Sequence, residues 1–337
     1  MYMRVRGEGG TLFPKDRCVV SFDGTHIAYG FMGRGPETIV LCAGYCCPDN
    51  FWKYLAPALA KRYRVLIWNY RGTGLSGMPR EPGYRARNWD IEDFMLDRYA
   101  RDLKEVLDRE GIGEVVLLGH SMGVQVCLEV YRVMPKRVRA LVSITGPYAS
   151  AIHTFYNTTL APRIYPIARE VLRLVPPARP VWRALFRSPI PHPLAVQFGA
   201  LGPDTKAEDM RIYYDHMADM DPSVMLKMAE AMHRHSAEDL LRKVKVPSLV
   251  IVGERDNLVP PWLGHVMASR LPVAELITVA GGTHGTIIEQ PRQVNAAVLD
   301  FLGRRLGKEG AVSLDEKRRE RAAPARRPPA AQEDPSG

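Results

Sequence analysis

Apolar positions along the chain fall into two alternating patterns. Short continuous apolar runs, the mark of strands buried on both faces, stand at 38–42 (TIVLC), 64–68 (RVLIW), 114–118 (EVVLL), 138–144, 248–253 (SLVIVG) and 275–279 (ELITV). Between them lie stretches with apolar residues three or four apart, which predict helices. These are 50–61 with Asn50 as N-cap, 96–110 stopped by Gly111 and Gly113, 121–134 ending before Pro135, a segment near 262–270, and 292 to about 306. Two short runs, 18–22 and 26–31, flank the turn Asp23-Gly24 and predict a strand pair. Strand–helix alternation implies β-α-β units, hence an α/β protein with a mostly parallel sheet covered by helices on both faces.

The alternation stops between 147 and 236. This block holds no convincing buried strand and is helix-like, with predicted breaks at Pro162, Pro166, Pro176–Pro177, Pro180, Pro189, Pro191 and Pro193. It is read as a helical cap inserted over the carboxyl edge of the sheet, where open α/β sheets bind ligands. An independent small domain is the alternative. The predicted organisation is a core of 1–146 and 237–307, a cap of 147–236, and a tail of 308–337. The tail has too few large apolar side chains to order itself, apart from a marginal helix around 314–321.

Charge changes this picture little. The net charge is +9, and the tail adds only one of these, with seven Lys/Arg against six Asp/Glu. No compact basic run carries interleaved aromatics, which argues against a nucleic-acid partner and favours a solvated arginine-rich surface. The five cysteines (18, 42, 46, 47, 127) are odd in number and irregularly spaced, unlike a disulfide framework or a zinc site. No metal is expected. No apolar stretch near the start looks like a signal peptide and no apolar run is long enough to span a bilayer, so a cytoplasmic protein is the expectation.

The chemistry is concentrated at Gly119-His120-Ser121-Met122-Gly123, a G-x-S-x-G motif between a five-residue apolar strand and an amphipathic helix. Such a turn strains the serine backbone and tolerates only glycine two residues to either side. It leaves Ser121 at a helix N-terminus, where free N–H groups, that of Met122 among them, face developing negative charge. A glycine-flanked helix cap with no catalytic role is the bland alternative. With this strand–turn–helix the sequence resembles the α/β-hydrolase superfamily, from Arg17 to about Leu306. The resemblance implies an acid and then a histidine after later strands.

The segment Gly253-Glu254-Arg255-Asp256-Asn257-Leu258-Val259-Pro260 resembles the family's acid loop and makes Asp256 the expected acid, with Glu254 as the alternative. The turn Thr145-Gly146-Pro147-Tyr148, another place the family uses, offers no carboxylate. After the last predicted strand comes Ala280-Gly281-Gly282-Thr283-His284-Gly285, so His284 is the expected base. His120 is read as a packing and hydrogen-bonding residue. The family's second oxyanion donor is implied to be the backbone N–H of Tyr45, in Cys42-Ala43-Gly44-Tyr45-Cys46-Cys47, where Ala43 replaces a customary His. In Asn69-Tyr70-Arg71-Gly72-Thr73-Gly74-Leu75-Ser76, Asn69 replaces a customary Asp.

The predicted cap is rich in aromatics (Phe155, Tyr156, Tyr165, Trp182, Phe186, Tyr213, Tyr214). Its methionines, from Met210 to Met232, fall at spacings that suggest one helical stripe. Cap core is one reading; the other is an adaptable substrate wall, with Trp182 and Tyr213 as the expected contacts. Six arginines (163, 169, 173, 179, 183, 187) interleave with apolar residues, and a face touching anionic lipid is a minor alternative. The expectation is a cofactor-free serine hydrolase that cleaves a carboxylic ester of a partly hydrophobic small molecule or lipid. Thioester or carbon–carbon hydrolysis by the same residues, or a non-catalytic binding protein on the same fold, are the alternatives. Oligomeric state is not legible.

Overall fold

The computed structural model describes residues 12–79, 91–150, 160–174 and 179–306. The chain up to Val298 forms one compact unit, and Leu299 onward belongs to a second. The predicted tail, its marginal helix at 314–321, Phe155, Tyr156 and Pro176–Pro177 all lie outside the described residues.

Eight strands form one sheet in the order β1-β2-β4-β3-β5-β6-β7-β8. They are β1 (Arg17–Val20), β2 (His26–Met32), β3 (Thr38–Cys42), β4 (Arg64–Trp68), β5 (Val115–His120), β6 (Val138–Ile144), β7 (Ser248–Gly253) and β8 (Ala274–Val279). The hairpin β1–β2 joins β4 antiparallel, and from β4 to β8 every pairing is parallel. Every residue of β3, β5 and β7 is buried. Successive side chains point to opposite faces, so both faces of the central sheet are covered, as the unbroken apolar runs required. The helix α2 (Leu96–Arg109) packs on α3 (Met122–Val133), and α3 lies against β3, β5 and β6. Two further helices, α1 (Leu55–Ala60) and α10 (Pro261–Arg270), cover β4 and β7–β8 respectively.

The predicted helix over 50–61 is two elements, a 3-10 turn at Asn50–Trp52 followed by α1. Asn50 caps neither. Pro57 explains the split: it cannot donate, so it fits only in the first turn of a helix that starts just before it.

Between β6 and β7 the described chain is helical: α4 (Leu160–Leu174), α5 (Arg179–Arg187), α6 (Pro191–Gln197), α7 (Ala207–Asp219) and α8 (Pro222–Arg234). Most of the expected proline breaks are helix starts instead. Pro162, Pro180, Pro191 and Pro193 sit in first turns, where a missing N–H costs nothing, α4 continues through Pro166, and Pro189 lies in the break between α5 and α6. The methionines form no single stripe. Met210 and Met217 belong to α7, Met225, Met228 and Met232 to α8, and Met220 to the turn between them. α7 and α8 form the inner layer, with α5 and α6 packed on α7, and α4 on α8. Arg183 and Arg187 pair with Asp219, Arg179 with Asp221 and Arg169 with Glu230. Much of the arginine pattern thus serves to tie the outer helices to the inner ones.

The ends of the inserted block meet beside α3. Ala149 and Ser236 form an isolated antiparallel bridge, and the Ala237 N–H donates to the Tyr148 carbonyl at 2.9 Å. The buried amide nitrogen Nε2 of Gln125 donates to both the Ala149 and Met232 carbonyls, at 3.0 and 3.1 Å. A short helix, α9 (Glu238–Leu241), leads back to β7.

Candidate active site

Ser121 follows β5 directly and precedes the first residue of α3. Its backbone lies at φ 54°, ψ −123°, a region that a residue with a side chain enters only when its surroundings force it. The flanking glycines show what forces it. A Cβ on Gly123 would lie 1.8 Å from the Cys42 carbonyl oxygen, and one on Gly119 would lie 2.5 Å from the Gly123 backbone. β3, β5 and α3 therefore close on each other at a spacing only glycine allows, and the hydroxyl is lifted out at the carboxyl edge of the sheet. The Ser121 N–H is held by the Ile144 carbonyl at 3.1 Å.

The His284 imidazole reaches Ser121 Oγ through Nε2 at 2.9 Å and Asp256 Oδ2 through Nδ1 at 2.9 Å. A serine hydroxyl that donates to Nε2 requires the proton of the neutral ring to sit on Nδ1, facing the carboxylate. The side chain of Asp256 is fully buried. Its second oxygen, Oδ1, accepts the N–H groups of Leu258 and Val259 at 2.9 and 2.8 Å, each such charged bond contributing about 1.5–3 kcal/mol. That turn closes because Asp256 caps its own loop, an arrangement favoured by Asp at this place in a turn. Glu254, the alternative acid, instead accepts the Gly281 N–H in an exposed bond.

The loop after β3 lies against Ser121: a Cβ on Gly44 would be 3.1 Å from Ser121 Cβ. Tyr45 follows Gly44 in this loop, and Met122 follows Ser121 as the first residue of α3. The customary histidine before Gly44 is missing, and Tyr70 supplies support in its place, donating from its hydroxyl to the Ala43 carbonyl at 2.9 Å. Asn69, which departs from the acidic pattern, still ties its own turn. Its amide oxygen accepts the Leu75 N–H at 3.1 Å, one of the tasks a carboxylate would perform.

His120 supports the site from behind. Its Nε2 meets the His284 carbonyl at 3.2 Å, and its ring stacks on Phe51 with centroids 4.6 Å apart. A carbonyl only accepts, so Nε2 carries the proton. Burial, and then the neighbouring His284, push the pKa of His120 down to about 3. The Thr145 hydroxyl donates to the same His284 carbonyl at 3.2 Å, from a backbone at φ 41°. His120 thus packs and hydrogen-bonds as expected, with a partner its motif did not name, whereas the Thr145 turn stood out in the sequence only for lacking a carboxylate.

A stability prediction follows from His120. The folded protein holds this histidine neutral, whereas the unfolded chain protonates it below its ordinary value near 6.5. Unfolding therefore takes up a proton between about pH 6.5 and 3, and stability falls as pH is lowered through that window. Buried His216, pushed down to about 4 by burial and then by Lys15, acts in the same sense. Melting temperatures measured from pH 7 to pH 4 should fall less steeply in His120→Gln than in the native protein. Equal slopes would exclude His120 as a contributor.

Of the two expected cap contacts, Tyr213 lies beside the site. Its ring meets Phe51 edge-on at 6.0 Å, and burial pushes its hydroxyl pKa well up. Trp182 is placed differently. Its indole N–H donates to the Met217 carbonyl at 2.8 Å and its ring packs on Phe186, both contacts within the inserted block. Cys47 half-buries its thiol beside Gly44 and donates to the Tyr45 carbonyl at 3.3 Å, while Cys46 is buried. Among the described residues no cluster of three or more His, Cys, Asp or Glu is arranged to hold a metal, and no helix is long and apolar enough to cross a membrane.

An eight-stranded, mostly parallel sheet with a strained serine turn behind its central strand defines the class, an α/β-fold hydrolase. The chain belongs to the alpha/beta hydrolase family, whose model matches residues 39–297. It is 27% identical over 280 residues to the "Putative carbamate hydrolase RutD" of Azorhizobium caulinodans, covering 82% of this chain and 94% of that protein. A hydrolase from Pseudomonas aeruginosa PA01 superposes with a TM-score of 0.67 at 21% identity, over 85% of this chain and 98% of that one. A thermophilic esterase from Thermogutta terrifontis gives 0.63 at 22% identity, over 85% and 97%. At these identities the two structures establish the fold alone.

Proposed function

We propose that the chain is a serine esterase acting on neutral, partly hydrophobic acyl compounds. The observation that carries this reading is the hydrogen-bonded line from Ser121 through His284 to buried Asp256. In the first half-reaction Ser121 Oγ attacks the acyl carbon and its proton passes to His284 Nε2. Asp256 holds the imidazolium that forms. The negative oxygen is received by the N–H groups of Tyr45 and Met122. Collapse breaks the bond to the alcohol oxygen, which leaves with the proton from His284. In the second half-reaction water adds to the acyl-serine, gives its proton to His284, and releases the acid and free Ser121. No step calls for a metal or organic cofactor.

The surroundings support a small-molecule acyl substrate with an apolar part. Phe51, Tyr213 and the Cys47 thiol lie around the serine loop. Burial pushes the Cys47 and Tyr213 pKa values up, so both remain uncharged near neutral pH.

The test is a panel of acetate to octanoate esters, the matching thioesters and carbamates, run with native protein and Tyr213→Ala. Esters should turn over fastest. Tyr213→Ala should shift the ratio of kcat/KM for octanoate over acetate by about tenfold, the scale of one methylene in an apolar pocket. Protein inert to all three classes would sink the enzyme reading in favour of a binding protein. A carbamate preference would replace the ester, and an unmoved ratio would remove Tyr213 from the substrate wall.

A further inference from the structure

The loop that carries His284 is fastened to the inserted helical block by one carboxylate, that of Glu289, the last residue of the short helix α11 (Thr286–Glu289). On the loop side, the Thr283 hydroxyl donates to Glu289 Oε1 at 2.7 Å, and the Thr283 N–H lies 3.4 Å from Oε2. The Gly285 N–H in turn donates to the Thr283 hydroxyl at 3.2 Å, so the residues on both sides of His284 hang on this group. On the cap side, the same Oε1 accepts the Gly202 N–H at 2.7 Å and the Thr205 hydroxyl at 2.9 Å. Gly202 and Thr205 belong to the connection between α6 and α7. Thr205 and Thr283 are both buried.

We propose that Glu289 is a positioning residue through which the α6–α7 connection of the cap sets the place of His284 relative to Ser121. The proposal rests on the reading of His284 as the base. Its physical content is a count of constraints. His284 must hold two 2.9 Å bonds at once, to a serine on one element and an aspartate on another. Its carbonyl is pinned from beneath by His120 and Thr145. Its neighbours in the chain are tied to the cap connection through the Glu289 carboxylate, directly at Thr283 and by way of the Thr283 hydroxyl at Gly285. A carboxylate suits the task because one oxygen has room for several donors, whereas an amide in its place turns a donor toward some of them. A shift of the cap connection that pulls on Glu289 would thereby move the imidazole, and misplacement of even about 1 Å at such a site costs about a hundredfold in rate.

The test compares native protein, Glu289→Gln, Thr205→Val and the double variant, all below their melting temperatures. The readouts are turnover of a short p-nitrophenyl ester and the low-field proton resonance of the His284–Asp256 hydrogen bond. Glu289→Gln is expected to lower kcat about tenfold with KM within about twofold, and to shift or broaden that resonance. Thr205→Val, a change in the cap connection, should reproduce part of both effects. In the double variant the losses should fall short of additive, because both changes act on one coupled group. Unchanged kcat and resonance in Glu289→Gln would overturn the positioning role. An effect of Glu289→Gln without any of Thr205→Val would overturn the link to the cap. If native protein turns over no ester, the proposed function fails, and the resonance still decides the position of His284 on its own.

Discussion

Replacing Ser121 with Ala is expected to lower kcat for the best ester by about 10⁵- to 10⁶-fold, the scale seen when an acyl-transfer serine is removed. The change deletes one oxygen, and that oxygen is the atom that bonds to the substrate. The fold should survive, because the strain at Ser121 is held by Gly119, Gly123 and the closeness of β3 to α3, not by the hydroxyl. Stability should therefore fall by no more than about 1.5 kcal/mol, the net worth of the one part-buried hydrogen bond lost to His284. A fluorophosphonate probe should label native protein and leave Ser121→Ala unlabelled. Labelling that persists in the variant would place the nucleophile elsewhere, and full activity in the variant would remove the acyl-serine step.

Much of the architecture was legible because burial writes itself into the sequence. β3, β4, β6 and β7 read as continuous apolar runs, and their predicted limits coincide with the observed ones, since a parallel strand covered on both faces admits few polar residues. Helices were less sharply marked. At 50–61 the periodicity ran straight over a break that only the donor chemistry of Pro57 reveals. In the inserted block, prolines expected to break helices open them instead, because a first-turn residue has no intrahelical acceptor for the N–H that proline lacks.

The candidate site divides along similar lines. Ser121, Asp256 and His284 follow the ends of β5, β7 and β8, so strand recognition located the loops, while the G-x-S-x-G motif and the family resemblance picked the residues within them. The structure brings the three together. His120 was legible as a packing and hydrogen-bonding residue, but the partners of the supports were not, because they are atoms with no sequence signature of their own. His120 and Thr145 both reach the backbone carbonyl of His284, and Tyr70 reaches that of Ala43. A carbonyl looks the same at every position of a sequence. The departures at Ala43 and Asn69 looked like losses for the same reason, since their compensations lie in Tyr70 and in the amide oxygen of Asn69 itself.

The largest expected stability effect lies beneath the site, at Arg71. This guanidinium is wholly buried in the turn after β4 and holds two carboxylates from separate elements. It grips Asp102 of α2 with two bonds of 2.6 and 2.8 Å, and Asp23 of the β1–β2 turn with one of 2.7 Å. Asp102 also accepts the Ser21 hydroxyl at 2.5 Å. Burial pushes the Asp102 carboxyl up even against the pull of Arg71, which shows how costly that site is for a bare charge. Arg71→Met keeps most of the volume and leaves both carboxylates without their cation. The expected loss is about 3–5 kcal/mol, or about 5–8 °C in Tm for a chain of this size. Replacing Asp23 and Asp102 with Asn and Leu in the same protein should recover much of it, because the penalty comes from the stranded charges rather than from the missing guanidinium. Thermal unfolding followed by circular dichroism would decide between these. A melting point within about 2 °C of native in Arg71→Met would mean that water or rearranged donors reach the two carboxylates, and that the turn carrying Asn69 and Tyr70 stands without its buried ion pairs.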